Sequence, residues 1–125
     1  SWTSVILGFL KCGNPRYALE LYDNMREDGV YANSHTFVII LKIYGCLRDL
    51  KKGEEAHFDI IKVGYERDVF VGTALVDMYM KLGLFLDAFK IFNVHMCVIH
   101  NHSSFNKCRH IHLRLIRQKL LQYHA

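Results

Sequence analysis

The residues best suited to chemistry lie together in the last quarter of the chain, where cysteine and histidine recur at short intervals. Six of them fall within sixteen residues, namely Cys97, His100, His102, Cys108, His110 and His112. Thiolate and imidazole are the usual protein ligands of zinc. A zinc finger, however, separates its two ligand pairs by about a dozen residues with an apolar core between them. Only seven residues separate His100 from Cys108, so we expect neither a metal site nor another cofactor.

The elements that would position any site repeat along the chain every 35 residues. The clearest unit runs from Ser34 to Asp68, and residues of similar type recur one period before and after it. Three such sets are Val5, Ile40 and Leu75; Ile6, Leu41 and Val76; and Phe9, Tyr44 and Tyr79. Asn33 and Asp68 close consecutive units with a short polar side chain. Self-similarity at such a period is typical of repeat architectures.

Apolar residues at helical spacing predict two helices in each unit. The second helix of the first unit is expected from about Pro15 to Asp28. The predicted N-caps are Asn14, Ser34 and Asp49, and Gly64 is a predicted C-terminal stop. The first helix should bury Val5, Ile6, Phe9 and Leu10. The third unit should bury Val71, Ala74, Leu75, Met78 and Tyr79 in one helix, and Phe85, Ala88, Phe89 and Phe92 in the next.

Three further expectations concern burial of small, charged and sulfur-containing side chains. The small residues expected at close helix contacts are Ala18, Gly53 and Ala88. Glu54 and Glu55 follow two lysines and are expected on a solvated face. Cys12 and Cys46 lie in apolar patterns, where a reduced thiol behaves as a small hydrophobe, which favours a reducing compartment.

Charge is distributed unevenly, although the net formal charge is +4. Residues 1–93 carry 11 basic and 12 acidic side chains, whereas residues 94–125 carry 5 basic and no acidic ones. Bulk charge of the repeats alone therefore does not argue for nucleic acid. No apolar run approaches the roughly 18 residues of a membrane span. Ser1 begins inside a structural pattern, so we expect a chain truncated at its start.

A helix pair cannot bury its apolar surface alone, and consecutive pairs should therefore stack with a continuous core. The predicted fold is all-α, a right-handed α-solenoid of antiparallel helix-turn-helix repeats of about 35 residues. First helices should line one surface and second helices the other.

Motifs inside these units resemble a known family. The first unit contains ALELYDNM, which fits A-L-x-L-Y-x-x-M, and GVYAN, which fits G-V-x-x-N. With an aromatic residue near the start of the first helix, they resemble the pentatricopeptide repeat. By this resemblance, residues 1–33 are a standard-type repeat, 34–68 a longer-type repeat and 69–93 a partial short-type repeat, followed by a divergent basic tail at 94–125. That order resembles the plant subclass serving organellar transcripts, many of them C-to-U editing sites.

The resemblance implies sequence-specific binding of single-stranded RNA, one base per repeat. It assigns base reading to two positions in each unit. These are Thr3 and Asn33 in the first unit, Val38 and Asp68 in the second, and Thr73 in the third. Thr3 and Asn33 resemble the family's adenine-preferring pair, whereas valine cannot hydrogen-bond a base. The alternative for Thr3 and Thr73 is a capping hydroxyl at a helix N-terminus.

The implied protein is an RNA-binding module acting in editing or maturation by positioning RNA for a separate enzyme. It resembles mitochondrial or chloroplast proteins whose partners are organellar RNA and editing-complex proteins. No catalysis is expected, because a zinc deaminase needs H-x-E and P-C-x-x-C and neither motif occurs. We expect neither a small-molecule substrate nor a membrane partner. The alternatives are a protein-interaction scaffold without RNA reading and an inactive truncated fragment.

The basic tail fits two interpretations. Its abrupt loss of the repeat pattern resembles a frame-shifted end of a longer array. Alternatively, residues 109–123 alternate basic with apolar side chains, as a basic amphipathic helix does. Such a helix would cap the open end of the solenoid, bind RNA phosphates or lie on a membrane surface.

Overall fold

The computed structural model describes residues 2–30 and 33–99, with side-chain placement through residue 94. In this part of the chain there are six α-helices and no strand, and the predicted all-α solenoid class is confirmed. The helices are α1 (Trp2–Lys11), α2 (Pro15–Glu27), α3 (Ser34–Leu47), α4 (Leu50–Val63), α5 (Val69–Lys81) and α6 (Phe85–Ile99). A short 3₁₀ turn, Tyr65–Arg67, precedes α5.

The helix ends follow from short polar residues at the N-termini and glycine at the C-termini. Asn14 and Asp49 cap α2 and α4 as predicted, each accepting a backbone N–H three residues on. Gly64 ends α4 with φ of 89° and donates its N–H to the carbonyls of Ile60 and Ile61. Glycine takes this left-handed conformation without steric cost.

The predicted N-cap of α3 was wrong by one residue. Asn33, not Ser34, is the cap: its Oδ1 accepts the Thr36 N–H at 3.1 Å, and its own N–H donates to Thr36 Oγ1 at 2.6 Å. This reciprocal pair is a capping box, which satisfies two backbone donors at once. Ser34 becomes the first helical residue.

The helices form two layers. Helix α3 packs against α1 on one side and α5 on the other, while α2, α4 and α6 each pack against the first helix of their own unit. Helices α3 and α5 run in the same direction. Near their C-terminal ends the Lys81 Nζ lies 3.8 Å from the Cys46 Sγ, and at their N-terminal ends the Phe37 ring lies 5.7 Å from the ring of Tyr65, just before α5. Successive first helices therefore bring equivalent positions side by side.

The core lies between these layers and contains residues from all six helices. Ile6, Leu41, Ile43 and Leu75 are almost wholly buried, each worth about 1.5–3 kcal/mol of transfer free energy. The predicted small residues Ala18, Gly53 and Ala88 are buried as expected. Gly53 allows the closest approach, because a Cβ there would stand 2.8 Å from the Met78 Sδ.

Glu54 was expected in solvent but is fully buried. One period away in each direction stand Leu19 and Phe89, so Glu54 occupies an apolar position on the face of α4 that meets the next unit. One turn further, the buried His57 Nδ1 lies 2.9 Å from the buried Tyr79 hydroxyl. The adjoining Glu55 conforms to expectation, with its Oε2 3.7 Å from the Lys52 Nζ near the surface. The α4–α5 junction thus has a polar core.

Other expectations of burial failed at the ends of the stack and on one surface. Cys12 and Cys46 are exposed, although both lie in apolar patterns. Val5 is exposed on α1, and Phe85, Phe89 and Phe92 are exposed on α6. Their pattern is amphipathic, but an apolar face is buried only when another helix covers it, and none of the described helices covers these. Among the described residues, no helix has the length and hydropathy needed to cross a bilayer.

Candidate nucleic-acid interface

A groove of about 270 Å³ runs across the C-terminal halves of the first helices. Its lining is mostly apolar at the base and charged at the rim. It comprises Leu7, Leu10, Lys11, Leu41, Lys42, Cys46, Ala74, Asp77, Met78 and Lys81. All three first helices contribute to this surface, which we call the first-helix groove.

The first-helix groove is positively charged. Lys11, Lys42 and Lys81 are exposed, and Asp77 is the single acidic side chain among the groove-lining residues. The Lys81 Nζ lies 3.8 Å from the Cys46 Sγ. Three ammonium groups around an open groove create a local positive potential, which attracts anions.

Sequence reasoning missed these lysines, although the repeat carried the signal for Lys11 and Lys81. Lys11 and Lys81 are separated by two periods, and Cys46 is the residue midway between them. The second unit thus places an exposed thiol where its neighbours place an ammonium group. The charged residues therefore follow the same 35-residue period as the apolar ones, and this period identifies the row.

The predicted base-reading residues lie at the opposite, N-terminal ends of the same helices. Asn33 and Asp68 are the N-caps of α3 and α5. Asp68 Oδ1 accepts the N–H groups of Phe70 at 2.9 Å and Val71 at 3.0 Å. Both side chains therefore satisfy helix N-termini, a role that the sequence interpretation did not give them.

The remaining three predicted residues differ in accessibility. Thr3 is partly exposed in the first turn of α1, and Val38 is half-buried against the core. Thr73 is exposed, and its hydroxyl donates to the Val69 carbonyl at 2.9 Å. This bond is to the preceding turn, so Thr73 does not cap a helix. Its oxygen lone pairs remain oriented away from the bond as acceptors.

The predicted base-reading residues and the residues of the first-helix groove are separated by a fixed spacing along the chain. In each unit the predicted base reader precedes a groove residue by eight positions: Thr3 and Lys11, Val38 and Cys46, Thr73 and Lys81. Eight helical residues span about 12 Å. Helical side chains also lean toward the N-terminus, which brings the ammonium groups closer to the base-reading ends.

A second depression of about 330 Å³ lies between α2, α3 and α4. It mixes charges of both signs, with Asp23, Glu55 and Asp59 facing Arg26 and Lys52. Burial, followed by the nearby Tyr22 and Asp23, raises the pKa of Tyr44 there to about 12. Burial also raises the pKa of Asp59, partly offset by Lys62. The mixed charge makes this depression a poor site for a polyanion.

Metal binding finds no support in the described part of the chain. Among residues 2–30 and 33–94, whose side chains the structure describes, no three His, Cys, Asp or Glu side chains are grouped as a metal site. The predicted zinc candidates fall elsewhere: the Cys97 side chain and residues 100–112 lie outside the described positions. The capping helix predicted at 109–123 also lies outside them.

Stacked helix pairs with a repeating row of residues along one layer define a helical-repeat protein. Comparison with protein families identifies the family of helical repeats to which the chain belongs. A family model described as the PPR repeat family matches residues 1–46, and one described as the PPR repeat matches residues 73–94. The chain belongs to the pentatricopeptide repeat family, which confirms the resemblance drawn from its motifs.

Relatives in Arabidopsis thaliana extend the similarity across the repeats. Pentatricopeptide repeat-containing protein At3g03580 is 39% identical over 92 residues, which cover 74% of this chain and 10% of the relative. A second relative, named "Putative pentatricopeptide repeat-containing protein At3g15130", is also 39% identical over 92 residues, which cover 74% of this chain and 13% of the relative. The relative At4g25270, named as chloroplastic, is 38% identical over 94 residues, which cover 75% of this chain and 18% of the relative. The chain thus spans less than a fifth of each of these proteins.

Proposed function

We propose that this chain is a single-stranded RNA-binding segment of a plant organellar pentatricopeptide repeat protein of the editing-associated subclass. The observation that carries the proposal is the fixed relation between the two sets of residues on the first helices. Lys11 and Lys81 can neutralise phosphates, while Thr3 and Thr73 lie eight residues away on the same helices. The family membership and a relative named as chloroplastic support an organellar RNA as the partner.

The first unit is the best base reader. Asn33 Oδ1 already accepts the Thr36 N–H, so the amide nitrogen Nδ2 is the group that donates to a base. The Thr3 hydroxyl both donates and accepts. Together they present the complementary pattern that the resemblance associates with adenine.

The second and third units read less. Val38 packs against the core and offers no polar atom, and Asp68 uses one oxygen to cap α5. Thr73 lacks an assigned partner at the end of its unit. Phe70 is 76% exposed, three residues before Thr73 on α5, and a base stacked on such an aromatic ring is worth about 1–3 kcal/mol. Sequence reasoning did not select Phe70.

The test is binding of short single-stranded RNAs of systematically varied sequence to the full chain, measured by fluorescence anisotropy at two salt concentrations. The central variant is Asn33→Asp, which keeps a capping oxygen but replaces the donating amide. Asn14→Asp is its matched control, because the Asn14 side chain likewise accepts a backbone N–H three residues on, at the start of α2, and has no assigned base. We expect Asn33→Asp and Thr3→Ala to change the base preference and Asn14→Asp to leave it unchanged.

The phosphate contacts have their own test. Lys11→Gln should weaken binding to all sequences alike and reduce the salt slope by about 1. Lys62→Gln, a change of the same charge at an exposed position on α4, should have little effect. Binding without sequence preference, or a preference untouched by Thr3→Ala and Asn33→Asp, would refute base reading. Absence of RNA binding would favour the protein-interaction scaffold.

The wider role rests on the chain's membership of the pentatricopeptide repeat family. We propose that the parent protein positions a transcript for a separate editing or maturation enzyme in a mitochondrion or chloroplast. Editing-complex proteins are the partners that would supply the chemistry. Editing of the bound transcript in organelle extract, restored by the wild-type protein and not by Asn33→Asp in the same array, tests this role.

A further inference from the structure

The exposed apolar face of α6 has buried counterparts in the two earlier units. Phe89 and Phe92 are 59% and 46% exposed. Their equivalents one period earlier are Glu54 and His57, and both are buried. A further period back, Tyr22 is buried as well. The same face is therefore covered in units one and two and uncovered in the described part of unit three.

The cover in the earlier units is always the next helix in the chain. Helix α3 follows α2 and packs on it, bringing Ile40 and Tyr44 beside Tyr22. Helix α5 follows α4, and its Tyr79 meets His57. In each covering helix the apolar residues are four apart, Ile40 with Tyr44 and Leu75 with Tyr79. The next helix after α6 is thus the expected cover by continuity with an established interface.

The sequence after α6 contains such a pair, displaced from the strict period. One period beyond Leu75 and Tyr79 stand His110 and Arg114, which cannot form an apolar face. Six residues later, Ile116 and Leu120 restore the spacing. Leu113 lies one turn before Ile116 on the same side of a helix, so the three residues form one apolar stripe.

The connecting length also fits. Six residues join α2 to α3 and five join α4 to α5, while nine residues, 100–108, separate Ile99 from Arg109. Nine extended residues reach at most about 30 Å, which exceeds the length of the connections already used between units. On a helix over 109–123, Arg114 and Lys119 fall away from the apolar stripe and would face water, whereas Arg117, four residues after Leu113, flanks the stripe.

We propose that residues 109–123 form a helix that covers the apolar face of α6 within the same chain. This segment stands in for the first helix of a fourth repeat, although its sequence has lost the repeat motif. The occupant is specific: the stripe Leu113, Ile116 and Leu120 packs against Phe85, Phe89 and Phe92. The inference depends on repeat geometry and is independent of RNA binding.

The test uses the full chain and amide hydrogen exchange. The expected result is that amides in residues 109–123 exchange at least about tenfold more slowly than in an unstructured peptide, at every protein concentration. Leu120→Gln should abolish this protection, speed exchange in α6 and increase binding of a hydrophobic dye. Leu121→Gln is the matched control, because Leu121 lies about 100° around the helix from Leu120 and should leave all three readouts unchanged.

Three outcomes would overturn the proposal. The first is exchange of residues 109–123 at the rate of an unstructured peptide. The second is equal effects of Leu120→Gln and Leu121→Gln. The third is protection that disappears on dilution together with a sedimenting species of twice the chain mass, because a second copy would then cover the face. Phe89→Gln provides the reciprocal check and should release residues 109–123 as Leu120→Gln does.

Discussion

The hydrogen bond between His57 and Tyr79 should be among the most costly to remove in this chain. Tyr79→Phe deletes the hydroxyl that lies 2.9 Å from His57 Nδ1. Both residues are nearly fully buried, at 3% and 2% exposure, so water cannot readily replace the lost partner. Removing one partner of a buried hydrogen bond costs about 1–3 kcal/mol. With a urea m-value of about 1–2 kcal/mol/M, the unfolding midpoint followed by circular dichroism should fall by roughly 1 M.

The repeat supplies the control for this measurement. Tyr44→Phe makes the same change one period earlier, at a half-buried position next to Tyr22. Because Tyr44 is only half-buried, water can solvate part of what the hydroxyl leaves, so the cost should be clearly smaller than for Tyr79→Phe. Replacing both partners, with His57→Phe and Tyr79→Phe together, should cost less than the two single changes added together, because each single change already removes the same hydrogen bond. Equal costs for Tyr79→Phe and Tyr44→Phe would refute the argument.

Three further predictions concern titration and packing. Burial raises the pKa of Tyr44 to about 12, so its phenol binds a proton more tightly when folded; its contribution to stability is present below pH 10 and is lost as the pH rises toward 12. The substitution Tyr44→Phe should remove that late transition from the ultraviolet titration curve of the protein. Burial likewise raises the pKa of Asp59, so its contribution to stability is present at acid pH and is lost as the pH rises above the ordinary aspartate range. Asp59→Asn should therefore make the urea midpoint less dependent on pH in that range. A Cβ at Gly8 would meet nothing within 4 Å, so Gly8→Ala should raise the free energy of unfolding by about 0.5–1 kcal/mol. In Gly53→Ala the new methyl group would clash with Met78, and this overpacking should cancel the gain. Equal unfolding curves for the two variants would contradict the packing argument.

The repeat made the helices predictable, because apolar spacing and cap residues agree in the second helices of the first two units. The caps at Asn14 and Asp49 show this agreement. Asn33 and Ser34 are adjacent and both suit an N-cap, so composition could not choose between them. Thr36 decided the choice by forming a capping box with Asn33, a contact that depends on backbone geometry.

Burial was less predictable, because it depends on which helix comes next. Glu54 looked like a surface charge beside Glu55, yet it is buried at a position that neighbouring units fill with Leu19 and Phe89. The three phenylalanines of α6 looked like core and are exposed. In both cases the local sequence pattern was clear, but burial depended on whether a helix of the next unit packs on that face.

Charge shows why a nearly neutral set of repeats can still present a binding surface for a polyanion. The first helices together carry three lysines and one aspartate, whereas the second helices carry six basic and seven acidic side chains. Because the two kinds of helix form separate layers, the antiparallel hairpin sorts this charge in space without changing the total. Counterions screen beyond a Debye length of about 10 Å, so a phosphate at the first-helix groove responds mainly to Lys11, Lys42 and Lys81. Charge reversals on the exposed side of α2 or α4 should therefore leave the salt slope of RNA binding nearly unchanged, and the net charge of the repeats is a poor guide to their partner.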